Sequence, residues 1–269
     1  MILLLLALAQ QAPAPAKPVE GPPSPNEIRY HRCLDLAGQD PVSAVDKANR
    51  WLLDGGNFMA RECLGVAYAN QNHWTDAAAV FEAAARGAET AQDNRAAPDW
   101  SEAGNAWLAA GQPDKAIADF NAALAQGSLD PKQRGEAQLD RARALVAKGD
   151  LAGARADIDR AIAAVPDDSL AWLLSATLAR RMGDLPRAHK DIAEAERRAP
   201  KAPQVQLEAG NIAAASGDEP GAKAAWQQAV TLAPDSPEGR SAAQALKQFD
   251  PAPAEPTTEG SRRRSPQSR

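Results

Sequence analysis

The sequence predicts an all-α protein, a solenoid of about five to six helix-turn-helix repeats that is closed by a C-terminal capping helix. The first observation is a glycine that recurs every 34 residues, at Gly149, Gly183 and Gly217. The second is a proline with the same period, at Pro166, Pro200 and Pro234. The third is the composition, which is 44% hydrophobic but only 4% aromatic and therefore favours thin helical layers over one large core.

Residues 1–9 predict a cleaved secretory signal peptide. A short apolar run, Ile2 to Leu8, overlaps the small-x-small site Ala7-Leu8-Ala9, although the basic residues that usually precede such a run are missing. The run is too short to span a bilayer as a helix. The alternative is a buried or frayed N-terminal segment. Residues 10–25 are rich in Pro, Ala and Gln, which predicts a flexible or polyproline-like linker.

Residues 26–56 predict a degenerate first helical repeat, in which Tyr30, Cys33 and Leu34 share one apolar face. The chain has two cysteines, Cys33 and Cys63. In an exported chain such a pair indicates a disulfide. The alternative is two small buried residues in adjacent helices.

Residues 57–236 predict five repeats. Leu64-Gly65-x-x-Tyr68 is followed by Ala77-x-x-x-Phe81, and the same pattern returns as Ala103-Gly104-x-x-Trp107 followed by Ala116-x-x-x-Phe120. Three further copies follow in strict phase. The small residues let the two helices of a repeat lie close together, and the aromatic residue fills the groove between them. The first two steps are longer, which predicts a longer second helix or a longer following loop within 87–96 and 127–132.

This pattern resembles that of the tetratricopeptide repeat family. The resemblance implies a right-handed solenoid whose first helices line a concave groove, and a protein or peptide partner that binds there. By position, the groove residues would be Glu62, Asn105, Leu139, Arg143, Leu173, Thr177, Arg180, Leu207 and Asn211. In that case the arginines would bind a carboxylate and the asparagines would bind backbone amides. The alternative is that the leucines pack between adjacent repeats and the arginines are structural.

The C-terminal part of the chain divides into two segments. Residues 237–249 predict an amphipathic helix that caps the solenoid, because Ala242, Leu246 and Phe249 fall on one face. Residues 250–269 predict a disordered basic tail, rich in Pro, Ser and Glu and containing Arg262-Arg263-Arg264. The tail is either merely solvated or in contact with an acidic surface or anionic lipid.

The sequence shows no constellation of residues that would carry chemistry. His31, His73 and His189 lie in different repeats, and none has a second ligand at metal-binding spacing, so we expect no enzyme, no cofactor and no metal site. The net charge of −5 argues against a nucleic-acid partner.

The predicted function is that of a non-enzymatic scaffold, adaptor or assembly factor, periplasmic or secreted and without a membrane span once the signal is removed. Three alternatives stay open. The first is an accessory subunit that presents a substrate to an envelope enzyme. The second is a cytoplasmic scaffold, if the N-terminus is not a functional signal. The third is a self-associating structural protein.

Overall fold

The computed structural model describes residues 22–249, so the predicted signal peptide, most of the predicted linker and the predicted tail lie outside the described residues. The described part contains thirteen α-helices, one short 3₁₀ helix and no strand. The helices are α1 Pro25–Gln39, α2 Pro41–Leu53, α3 Phe58–Asn70, α4 Trp74–Ala91, α5 Ala96–Ala109, α6 Pro113–Ala125, α7 Pro131–Lys148, α8 Leu151–Ala164, α9 Ser169–Arg181, α10 Leu185–Arg198, α11 Pro203–Ala215, α12 Glu219–Leu232 and α13 Pro237–Leu246. The 3₁₀ helix, Lys247–Phe249, follows α13.

Twelve of these helices form six hairpins, α1–α2 through α11–α12, and α13 packs on the last of them. Each hairpin packs mainly on the next one along the chain, which is the arrangement of a solenoid. The predicted all-α solenoid is therefore confirmed, with a hairpin count at the upper end of the expected range. The first hairpin corresponds to the degenerate repeat, and α13 with the 3₁₀ helix spans the predicted cap.

The helix ends follow from local chemistry. Asp150, Asp184 and Asp218 each precede a second helix, and their carboxylates accept hydrogen bonds from backbone N–H groups three residues later. The residue before Asp184 is Gly183, whose φ of 79° is costly for a residue with a side chain. The 34-residue glycine period therefore marks the turn inside each of the last three hairpins.

Two glycines on first helices are required by close packing. A Cβ at Gly104 would lie 2.8 Å from the Phe120 ring, and one at Gly210 would lie 2.4 Å from the Trp226 ring. Each bulky ring thus sits directly against the backbone of the facing helix. These contacts are the small-residue and aromatic pairs of the sequence motif.

The two longer steps have different structural origins. The first lengthens the second helix α4 to 18 residues, as expected. The second was expected in α6 or the loop after it, but it mainly lengthens the first helix α7, which also has 18 residues. The reason is local: Asp130 forms a capping box with Gln133, and Pro131 occupies the first turn, so α7 begins early.

The first helices form the inner side of the solenoid. Helix α1 packs on α3, α5 on α7, and α9 on α11, whereas within 22–249 no second helix packs as closely on another second helix. The side on which neighbouring hairpins approach more closely is the concave side. The groove on this side is the place where side chains from successive repeats converge.

Candidate functional site in the concave groove

The N-terminal section of the groove is acidic. Glu62 on α3 accepts a hydrogen bond from the Tyr30 hydroxyl on α1, and burial raises the pKa of the Glu62 carboxyl. Asp99 on α5 is only 1% exposed, and burial together with the charge of Glu62 raises the pKa of its carboxyl to about 9. The guanidinium of Arg95 opposes both increases. Glu62 therefore has one carboxylate oxygen bound to Tyr30 and a second, buried oxygen that has no hydrogen-bond partner within residues 22–249.

A small cleft of about 190 Å³ lies between α5 and α7, in the next part of the groove. Glu102, Glu136 and Asp140 contribute carboxylates to its lining. The enclosing protein and the nearby Asp140 raise the pKa of the Glu102 carboxyl. Asp140 is held by two partners, since it accepts hydrogen bonds from the Asn105 amide at 3.0 Å and from Arg143 at 3.1 Å.

A mainly apolar pocket of about 240 Å³ lies between the next two first helices, α7 and α9. Its apolar lining comes from α7, α8 and α9 and consists of Ala142, Val146, Ile158, Leu174 and Leu178. Thr177 adds a hydroxyl group to the wall. A concave, mainly apolar surface with a few polar groups at its edge is the usual form of a binding pocket.

Two exposed arginines, Arg143 and Arg181, also line this pocket. Arg143 is paired on one side with Asp140, and its side chain remains 55% exposed. Arg181 is exposed and forms no hydrogen bond or ion pair with another described residue. The structure thus brings two of the predicted groove residues, Arg143 and Thr177, together with Arg181, which sequence reasoning missed.

Arg180, the neighbour of Arg181, makes the contacts expected of the structural alternative. Its guanidinium donates two hydrogen bonds to Glu208 on α11, at 2.7 and 3.2 Å. The Glu208 side chain is 9% exposed, so this pair links two adjacent repeats inside the protein. Arg180 is therefore a structural residue whose guanidinium is already satisfied by a carboxylate.

The repeat period explains why this apolar pocket is not repeated at the next junction. Val146 and Leu174 line the pocket between α7 and α9. Thirty-four residues further along the chain, the same two positions are Arg180 and Glu208. Their ion pair fills the junction between α9 and α11, where the earlier junction has an opening. No local motif distinguishes Arg180 from Arg181; only their contacts with the next repeat do.

The three predicted groove leucines belong to the packing of the solenoid. Leu139 is 3% exposed and Leu173 is 8% exposed, each within a hydrophobic cluster. Leu207 is half-buried against the cluster that contains Trp226. Leu139 and Leu173 therefore present no side chain to a partner. The reason is that their positions face the adjacent helices rather than the groove.

Asn211, the last predicted groove residue, donates a hydrogen bond to Glu208 at 3.2 Å and accepts one from the Trp226 indole at 3.1 Å. Asn105 donates its amide to Asp140, as described above. Both asparagines are half-buried and hold side chains of the groove in place.

The two cysteines lie on the first helices of adjacent repeats. In the structure Cys33 on α1 and Cys63 on α3 form a disulfide, with Cα atoms 6.0 Å apart. This bond joins the degenerate first hairpin covalently to the regular array.

Neither a metal site nor a membrane span is found among residues 22–249. No group of three or more His, Cys, Asp or Glu side chains in this part of the chain is arranged to hold a metal ion. None of its helices is long and apolar enough to cross a bilayer.

Comparison with known proteins relates the chain to one family. The family model for the tetratricopeptide repeat matches four overlapping segments, residues 64–131, 101–169, 139–179 and 173–237. Together they cover more than half of the chain. No curated protein matches it.

Several solved structures share the fold. PilW, a type IV pilus biogenesis factor, is 21% identical with a TM-score of 0.67, over 80% of this chain and 97% of its own. Pseudomonas aeruginosa pilF is 15% identical with a TM-score of 0.62, over 83% of this chain and 100% of its own. YrrB, a protein with an unusual peptide-binding site, is 18% identical with a TM-score of 0.51, over 81% and 97%.

Proposed function

The chain belongs to the tetratricopeptide repeat family, and on this basis we propose that it is a non-enzymatic interaction module that binds a peptide or protein segment in its concave groove. It would act as a scaffold, adaptor or assembly factor. The observation that carries the proposal is the pocket between α7 and α9, where an apolar wall meets the exposed guanidinium groups of Arg143 and Arg181.

The pocket defines the chemistry of the ligand. An apolar side chain of the partner would fill the space beside Val146 and Leu174, which removes apolar surface from water. A carboxylate close to that side chain would accept charge-assisted hydrogen bonds from Arg181 and Arg143. The expected recognition element is therefore an apolar residue adjacent to an acidic group.

The acidic cleft between α5 and α7 extends this preference along the groove. Glu102 and Glu136 form no hydrogen bond with another groove residue, although Glu136 is near Lys132 at 3.7 Å. A basic side chain on the same segment would lower the mutual repulsion of these carboxylates. A partner segment with a basic residue at one end, and with an apolar and an acidic residue at the other, would therefore match both the acidic cleft and the apolar pocket.

The proposed location is the bacterial periplasm or the exterior. Two features support it: the apolar run Ile2–Leu8 and the disulfide between Cys33 and Cys63, a bond that persists in oxidising compartments. Cell fractionation and thiol titration of the denatured, unreduced protein test it. A cytosolic pool with an intact N-terminus, or two free thiols, would argue against export.

The groove is tested by reversing the charge of its two exposed arginines. In Arg143→Glu with Arg181→Glu, capture of the partner from the native host after mild crosslinking should be lost, because the carboxylate of the ligand would meet two carboxylates. The measurement is mass spectrometry of the captured proteins, followed by peptide-array binding to define the preferred segment.

A matched control variant carries the same change in charge elsewhere. Lys190→Glu with Lys201→Glu alters two exposed lysines outside the groove and should capture the same partner as the wild type. Unchanged circular dichroism and thermal unfolding would show that both variants are folded. If the groove variant retained the partner, the assignment of the binding site would be wrong.

A further inference from the structure

A second concave site lies outside the groove, on the first hairpin. A cleft of about 330 Å³ separates α1 from α2, and all of its lining residues come from these two helices and Asp54. Four cationic side chains line it, Arg29 and Arg32 from α1 and Lys47 and Arg50 from α2. All four are exposed. In a chain with a net charge of −5, this concentration of positive charge is a distinct local feature.

Three of the four cations form no hydrogen bond or ion pair with a carboxylate, although Lys47 has a coulombic interaction with the nearby Asp40. Arg29 stacks over the Trp51 ring and pairs with Asp54 at 3.2 Å. Arg50 donates only to the backbone carbonyl of Asp46. Arg32 and Lys47 form no hydrogen bond or ion pair within residues 22–249. The lining therefore has an excess of positive charge that a ligand can neutralise.

The four cations form two rows. Arg29 and Arg32 are three residues apart on one helix, and so are Lys47 and Arg50. The Cβ atoms of residues at this spacing are about 5–6 Å apart. Alternate side chains of an extended chain are separated by about 6.6 Å and point the same way. Carboxylates on alternate residues of such a chain would each lie near one cation of a row.

We propose that this cleft binds an acidic segment of a partner protein, in which Asp and Glu residues predominate. The flanks of the hairpin favour a narrow ligand over a planar one. Asp35 follows Arg32 by one helical turn, Asp46 precedes Arg50 by one turn, and both carboxylates are exposed. An anionic membrane surface laid across the hairpin would have to approach both carboxylates. A narrow acidic chain would contact the lining of the cleft, whose one carboxylate, Asp54, is already paired with Arg29.

The disulfide holds one wall of this cleft in place. Cys33 lies in the lining and is bonded to Cys63 on α3, so α1 cannot separate from the array while the bond is intact. The site shares none of its lining residues with the pocket between α7 and α9, and it does not depend on the function proposed for the groove.

The test is fluorescence anisotropy with the full chain and a labelled synthetic peptide of alternating Glu and Asp. We expect saturable binding that weakens as salt rises from about 0.05 to about 0.5 M, because salt screens exposed charges. Arg32→Glu with Arg50→Glu should weaken binding at least tenfold. The neutral variant, Arg32→Gln with Arg50→Gln, should give a smaller loss of affinity. It tests the role of the two charges even if the charge-reversed variant does not fold.

Two controls define the outcome. The Gln and Asn analogue of the peptide should not bind, whereas Lys190→Glu with Lys201→Glu should bind the acidic peptide within about twofold of wild type. Equal affinity of the wild type and the cleft variant would overturn the proposal. A second result would also overturn it: the wild type does not bind the peptide but sediments with anionic vesicles, and the cleft variant does not sediment with them. The ligand would then be a lipid surface.

Discussion

At the scale of single residues, the charged side chains that are available to a ligand in the groove are those that are not already satisfied by a partner within the fold. Arg180 and Arg181 are adjacent in the chain, yet one is tied to Glu208 and the other is exposed in the lining of the pocket. A side chain that is satisfied within the fold has little to offer a ligand, because binding would first have to break its existing contact.

The buried carboxyl of Asp99 should make the stability of the protein depend on pH. Burial raises the pKa of this carboxyl to about 9 in the folded protein, compared with an ordinary value of 3.8 for an aspartate. The folded state thus favours the protonated form, so the stability contributed by this group is fully present below about pH 4 and is lost progressively as pH rises to about 9. We expect Asp99→Asn, which cannot ionise, to be more stable than wild type at pH 8 by about 1 kcal/mol or more.

Urea unfolding of both proteins between pH 4 and pH 9 checks this prediction. The difference in free energy of unfolding should grow with pH, because only the wild type must keep a buried carboxyl protonated. Curves that stayed parallel over the whole range would contradict the assignment.

At the scale of helices, the junctions between repeats differ although the repeats are similar. The junction between α7 and α9 is lined by Val146 and Leu174 and leaves a pocket, whereas the equivalent positions between α9 and α11 form an ion pair. In both cases a glycine with positive φ ends the first helix and a proline follows the second, at Gly149 with Pro166 and at Gly183 with Pro200. Individual side chains at the contact therefore decide whether a junction is open or closed.

Removing Arg180 tests the closed junction. Arg180→Ala should lower the free energy of unfolding by about 1–3 kcal/mol, because it leaves the nearly buried carboxylate of Glu208 without its charged partner. Arg181→Ala, the matched control on the next residue, should change it by less than about 0.5 kcal/mol, since Arg181 is exposed and unpaired. Equal losses in chemical denaturation would show that the two arginines do not differ as described.

At the scale of the whole molecule, the two ends of the solenoid are finished in different ways. The first hairpin is joined to the array by the disulfide and bears the cationic cleft. The last hairpin is covered by α13, whose Ala242 packs in a cluster with Trp226 and Ala229. A solenoid requires such coverage because its terminal repeat would otherwise expose an apolar face to water.

Truncation tests the role of α13. A chain that stops after Asp235 should be less stable by about 2 kcal/mol or more and should associate at high concentration, because the apolar face around Trp226 loses its cover. A chain that stops after Phe249 keeps α13 and should unfold like the full chain. Thermal unfolding and sedimentation velocity provide the measurements. An equally stable, monomeric shorter chain would show that α13 is not a cap.

The repeat architecture of this protein can be predicted from its amino-acid sequence alone. Helix ends, turns and close backbone contacts depend on residues near one another in the chain, and features such as Gly183 and the pairing of Gly104 with Phe120 are visible as a periodic pattern. The single error in helix length, at α7, also has a local cause in the cap at Asp130.

Which residues line a free surface depends on contacts between helices, and these are seen only in the tertiary structure. The ion pair of Arg180 with Glu208 and the cleft lined by both Arg32 and Arg50 each involve residues on different helices, and both depend on how those helices are rotated against each other. A periodic pattern fixes the face of a helix but not the neighbour that a long side chain reaches. For that reason the sequence predicted Arg143 and Thr177 in the groove, placed Leu139 and Leu173 there as well, and missed Arg181.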